Sequence, residues 1–224
     1  MEMHRPVSPA DVRMLSLGDS YTIGESVGPS DRWPVQLAAR LRAHGVCVGE
    51  PVIVARTGWT TDELDAGIDR AAVSGAYDLV TLLIGVNDQY RGRSIDEYRL
   101  QFRKLLSQAV AFAGARPERV VVLSIPDWGV TPFASNRDGA AIAAAIDAFN
   151  AVACDETHRA RARFTDITPS SRRAAHDGRL TAGDGLHPSA AMYTEWVSLV
   201  VPVAMAALTG ENPPGTVDEQ PQRG

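Results

Sequence analysis

Apolar residues in this chain gather in five short runs. These are "VRMLSLG" (12–18), "PVIVAR" (51–56), "YDLVTLLIG" (77–85), "RVVVLSIP" (119–126) and "ARFTDI" (162–167). Each is apolar on successive residues rather than alternate ones, the pattern of parallel strands covered by helices on both faces. Between the runs the pattern turns helical. One helix is expected from Trp33 to His44. The next two open at "TTDEL" and "SIDEY", where Thr60 with Glu63 and Ser94 with Glu97 have capping-box spacing. A long Ala-rich helix is expected from about Gly139 to Ala162, and a last one after Pro188, which suits a first helical turn. Strand and helix alternate with no internal repeat. The fold class is therefore α/β, with right-handed crossovers and a doubly wound, five-stranded parallel sheet.

Composition narrows this picture. A length of 224 residues fits one large domain. The stretch "GENPPGTVDEQPQRG" (210–224) predicts a disordered tail, which leaves the domain at 1–209. A net charge of −5 gives no footprint for nucleic acid. Cys47 and Cys154 form no CxxC, so a thiol-rich metal site is excluded, and both are expected as buried or half-buried free thiols. The opening "MEMHRPVSPADVR" has no apolar h-region, from which a cytoplasmic chain without a signal peptide is expected. The apolar run "WVSLVVPVAMAAL" is short for a bilayer and contains Pro202, so it reads as a buried helix rather than a membrane span.

Ligands of open α/β sheets bind beyond the carboxyl ends of the strands. There the sequence places Gly18-Asp19-Ser20, Thr57-Gly58-Trp59, Gly85-Val86-Asn87-Asp88, Pro126-Asp127-Trp128 and, before the last helix, "GDGLHP" (183–188). A phosphate loop needs a lysine, and the one lysine, Lys104, sits in the helical "FRKLLSQ". Its isolation also argues against a Ser-Lys dyad or a Schiff base. Gly18 and Gly24 stand six apart with no glycine between, so no dinucleotide fingerprint is formed. A serine nucleophile remains, and it needs a base oriented by a third group. Of five histidines, His4 lies in the polar N-terminus, His44 and His158 on helices, and His176 in a turn. His187 differs. Asp184 precedes it by three residues in a loop loosened by Gly183 and Gly185, so the carboxylate can fold back on one imidazole nitrogen and leave the other for Ser20. The candidate oxyanion donors are the Ser20 and Gly58 N–H groups and the Asn87 amide. Asp19 and Asp88 are expected as turn residues that hold backbone around the site.

Together these blocks resemble the SGNH, or GDSL-type, serine esterase and lipase family. "GDS" (18–20) is similar to its first block, Gly58 in "ARTGWTTDEL" to its second, "GVND" (85–88) to its third and "DGLHP" (184–188) to its fifth, in the family's order. Tyr21 stands where the name motif has Leu. The resemblance implies a flavodoxin-like three-layer α/β/α sandwich that hydrolyses carboxylic esters with no metal and no organic cofactor. Small, soluble esters with short to medium acyl chains are the expected partners, with sugar acetates, lysophospholipids, thioesters and acyl transfer to an alcohol as alternatives. Two other classes compete: a metal-dependent phosphoesterase ligated by Asp19, Asn87, Asp88, Asp184 and His187, and a module that kept the fold without catalysis. Trp59, Tyr90, Trp128, Val130 and Phe133 are the expected apolar walls of a substrate pocket, and Arg91 and Arg93 its charged candidates.

Overall fold

In a computed structural model describing residues 12–211, five parallel strands form one sheet in the order β2-β1-β3-β4-β5. They are β1 (Met14–Gly18), β2 (Val52–Ala55), β3 (Leu79–Leu83), β4 (Val120–Leu123) and β5 (Arg163–Thr165). Each expected run contains its strand but overshoots it by one to three residues at an end. Every residue of β1, β3 and β4 is buried, which is why those runs carry no polar alternation. The two hydroxyls inside them satisfy one another. Register sets Ser16 beside Thr81, and Thr81 Oγ1 donates to Ser16 Oγ at 2.9 Å.

Eight α-helices and six short 3-10 helices accompany the sheet among the described residues, the α-helices being α1 (Ser20–Ile23), α2 (Trp33–Ala43), α3 (Thr61–Ala71), α4 (Val86–Tyr90), α5 (Ile95–Phe112), α6 (Gly139–Arg159), α7 (Thr168–Ser171) and α8 (Ala190–Thr209). One layer packs α2 against α8, and the other packs α3, α5 and α6 side by side. On α5 the buried residues are Tyr98, Phe102, Leu105, Leu106 and Ala109, one stripe at helical spacing. The expected capping box at Thr60 is complete, and Ser94 Oγ accepts from the Glu97 N–H.

Two expectations need correction, and in a third the buried helix holds while its expected shortness does not. Cys47 is exposed, because its carbonyl rather than its side chain serves the fold by accepting from the Val12 N–H. Pro188 lies outside α8, whose N-cap is Ser189 accepting from the Met192 N–H, and Pro188 instead bridges to Thr181. The apolar run near the end belongs to a 20-residue helix, long and apolar enough by length and composition to cross a membrane. Here Trp196, Val200 and Ala204 of that helix are buried in the core. The expected disordered tail lies outside the described residues, apart from Gly210 and Glu211 at the end of α8.

The strand order reverses direction between β1 and β3. Sheets of this order bind ligands at that crevice. The loops after β1 and β3 open there, and the 181–188 loop joins them.

Candidate active site

β1 ends on Gly18 because nothing larger fits. A Cβ at Gly18 would lie 2.2 Å from Thr22 Oγ1 and 2.5 Å from the Leu83 carbonyl. Asp19 then caps α1, accepting from the Tyr21 N–H at 3.0 Å, so Ser20 opens the helix. Ser20 is 5% exposed, and its Oγ makes no hydrogen bond among the described residues. The other Asp19 oxygen is buried without a partner. Burial, reinforced by the charge of Asp88, pushes the Asp19 carboxyl up to about 8 despite its bond from Tyr21.

The loop before α8 is built around Asp184. One carboxylate oxygen accepts the Leu186 and His187 N–H groups, both at 2.9 Å. The second lies 2.6 Å from His187 Nδ1 and accepts from Ser26 Oγ at 2.6 Å. Partial burial works against ionisation, but the bonds from Ser26, His187 and the two backbone amides outweigh it and hold Asp184 well below the usual carboxylate range. An ionised Asp184 assigns the proton to Nδ1 and leaves Nε2 as the basic nitrogen. His187 is 8% exposed, with the Tyr21 ring 5.6 Å from its own. The loop is tied at both ends by Ala182 N–H to the His187 carbonyl (2.7 Å) and Phe133 N–H to the Gly185 carbonyl (2.9 Å).

Asn87 stands on α4, entered through Gly85 at φ +127°, where a side chain would strike Tyr98. Its amide donates one hydrogen to the Trp59 carbonyl at 2.9 Å and has a second N–H to offer. The buried Asp88 beside it accepts from the Thr61 N–H (3.0 Å) and Thr61 Oγ1 (2.7 Å), pinning the start of α3 to the loop after β3. Burial raises the Asp88 carboxyl, with Thr61 and Arg93 opposing that rise.

A cavity of about 190 Å³ brings Ser20, Asn87 and His187 together. Tyr90, Trp128 and Phe133 line it as a mutually packed aromatic wall, with centroids 5.3 to 6.5 Å apart. Trp128 is also fixed by its indole N–H, which donates to Gln89 at 2.9 Å. Tyr21, Val86 and Leu186 complete the lining. Sequence reasoning missed these three, although each directly follows or precedes a motif residue. It also missed Ser26, which has no local signal.

Other expected site residues lie elsewhere. Gly58, at φ +84°, is outside the cavity lining, with its carbonyl accepting from Arg91 at 2.6 Å and its N–H unbonded among the described residues. Trp59 is not a wall: its ring rests on α3 at Gly67, with the Arg70 guanidinium 5.9 Å from the ring centre. Val130, in the turn after Trp128, does not reach the cavity either. Arg91 is bound to Glu63 (3.2 Å), and Arg93 to Asp62 (2.7 Å), so both brace loops. Among the described residues no three of His, Cys, Asp or Glu converge as a metal site would require.

The fold is shared with known structures. TesA is 19% identical and superposes with a TM-score of 0.69 over 88% of this chain and 99% of its own. The lipase/acylhydrolase from Enterococcus faecalis is 20% identical, with a TM-score of 0.65 over 92% of this chain and 100% of its own. Axe2, an acetylxylan esterase from Geobacillus stearothermophilus, is 17% identical, with a TM-score of 0.64 over 88% and 94%. The sequence matches no curated protein. The model of the GDSL-like lipase/acylhydrolase family matches residues 16–194, so the chain belongs to that family and is a carboxylic ester hydrolase.

Proposed function

We propose that the enzyme works through a Ser20 acyl-enzyme, with His187 as general base and acid and Asp184 as its orienting partner. The 2.6 Å contact between His187 Nδ1 and Asp184, in a histidine that shares a cavity with Ser20, carries this reading. Ser20 Oγ attacks the ester carbonyl as Nε2 takes its proton, which needs an approach of about 3 Å in the substrate complex. The ionised Asp184 stabilises the imidazolium. The free hydrogen of the Asn87 amide and the Ser20 N–H, at the start of α1, face the developing oxyanion, with Gly58 as a third donor if its turn closes on the substrate. His187 returns the proton to the leaving alcohol, and water then attacks the acyl-enzyme by the same route.

A cavity of about 190 Å³ is small beside the roughly 300–1,000 Å³ of sites for drug-sized ligands. Its walls suit a short to medium acyl group. The competing metal-phosphoesterase reading is poorly supported, because Asp88 is held by Thr61 and Asp184 by His187 and Ser26, and among the described residues no three His, Cys, Asp or Glu side chains converge.

The test is hydrolysis of p-nitrophenyl esters from acetate to decanoate by wild type and Ser20→Ala, with and without EDTA. Turnover lost in the variant, indifferent to chelator and falling at long chains is expected. Wild-type turnover by a folded Ser20→Ala protein, or loss of activity with EDTA, overturns the mechanism.

A further inference from the structure

Against the aromatic wall, outside the cavity lining itself, lies a cation that no acid among the described residues neutralises. Arg137 lies in the exposed segment before α6. Its guanidinium sits 5.2, 5.3 and 5.5 Å from the ring centres of Tyr90, Trp128 and Phe133, the three rings that wall the cavity. Arg137 Nη2 donates to Tyr90 Oη at 3.1 Å. A guanidinium presents five N–H donors in one plane, and among the described residues this is the one that is used. The other arginines around the site are engaged: Arg91 on Glu63, Arg93 on Asp62, and Arg172 on Asp127 and Asp147. Asp138, next to Arg137 in sequence, caps α6 by accepting from the Ala141 N–H. No carboxylate lies within 4.0 Å of the Arg137 guanidinium among the described residues.

Contacts with three rings and the bond to Tyr90 restrain the fork, so less side-chain freedom is left to lose when it binds. Its planar donors match a carboxylate or a phosphate in bidentate fashion. The chain as a whole carries −5 and repels anions at long range, so attraction for one has to come from a local donor set. We propose that Arg137 makes the enzyme select esters whose substrate also carries an anionic group, carboxylate or phosphate, at the end that emerges beside the aromatic wall. This inference rests on Ser20 being the nucleophile.

Two matched substrate pairs test it on the full-length protein. Mono-p-nitrophenyl glutarate against p-nitrophenyl valerate puts the charge on the acyl side. The butyrate ester of 4-hydroxyphenyl phosphate against phenyl butyrate puts it on the leaving group. The readout is the charged-to-neutral ratio of kcat/KM. On one of the two pairs that ratio is expected to fall about tenfold or more in Arg137→Gln, which keeps a donor for Tyr90 without the charge, and to fall less in Arg137→Lys. Added salt should lower the wild-type ratio in the same direction. The responding pair identifies the end that carries the anion. Ratios equal in wild type and Arg137→Gln on both pairs, with Ser20-dependent turnover of the neutral esters intact, overturn this inference alone. Absence of Ser20-dependent turnover on every ester removes the nucleophile reading and this inference with it.

Discussion

Replacing Asp19 by Asn should change how stability depends on pH, with a magnitude that follows from the environment of the carboxyl. Asp19 is wholly buried, accepts one hydrogen bond and has a second oxygen with no partner. Burial and the neighbouring Asp88 raise it from 3.8 to about 8. The folded chain therefore keeps a proton that the unfolded chain releases above about pH 4. Its contribution is complete at low pH and is lost as pH rises through that window, levelling off beyond about 8. Each pH unit inside the window is worth about 1.4 kcal/mol, so between pH 5 and 8 the wild type should lose roughly 4 kcal/mol relative to a variant that cannot titrate. Against a total stability of about 5–15 kcal/mol, that is measurable. Asn keeps the oxygen that accepts from the Tyr21 N–H. Urea unfolding of wild type and Asp19→Asn across this range, read as a difference so that all other groups cancel, gives the answer. A difference that stays constant from pH 5 to 8 would refute the claim that Asp19 is folded as a neutral acid.

Ser26→Ala removes a donor from the Asp184 oxygen that faces His187, and a loss of roughly three- to tenfold in kcat/KM is expected. Ser26→Gly should lose as much activity without loss of stability, because Ser26 sits at φ +64°, a conformation glycine adopts freely. Asn87→Ala should lower kcat by about 10²–10³ with KM little changed, as expected of a donor that acts on the oxyanion. An equal rise in KM would make Asn87 a ground-state contact.

The sheet was legible because its central strands are buried on both faces, and a strand covered on both sides requires a sustained apolar run such as 77–85. The caps at Thr60 and Ser94 were legible because capping is local. α1 and α4 were not, since helices of four and five residues carry no amphipathic period. The Asp184–His187 pair could be read from a three-residue spacing. Ser26, 158 residues from Asp184, could not. Trp59 was misassigned as a pocket wall because an aromatic after a strand packs as readily on a neighbouring helix, and the space it fills exists only because position 67 is glycine. Arg137 escaped notice for a similar reason: its three rings come from two separate segments of the chain.

The three aspartates that accompany the candidate residues show how one residue type is put to different uses. Each accepts a backbone N–H that fixes a loop: Asp19 from Tyr21, Asp88 from Thr61, and Asp184 from Leu186 and His187. Their charge states then follow from donor number against burial. Asp19, fully buried with one donor, is driven toward the neutral acid. Asp88, buried with two bonds from Thr61 and Arg93 at 3.6 Å, is raised but partly compensated. Asp184, less buried and served by Ser26, the imidazole and two amides, is the carboxyl among the three that is held ionised. The negative charge is thereby kept beside the histidine that would become imidazolium. A second carboxylate ionised behind Ser20 would oppose both the departure of its proton and the oxyanion that follows. Burial of Asp19 keeps that charge suppressed below about pH 8, so the pH dependence of the stability difference between wild type and Asp19→Asn and the alkaline limit of wild-type turnover should report on the same proton.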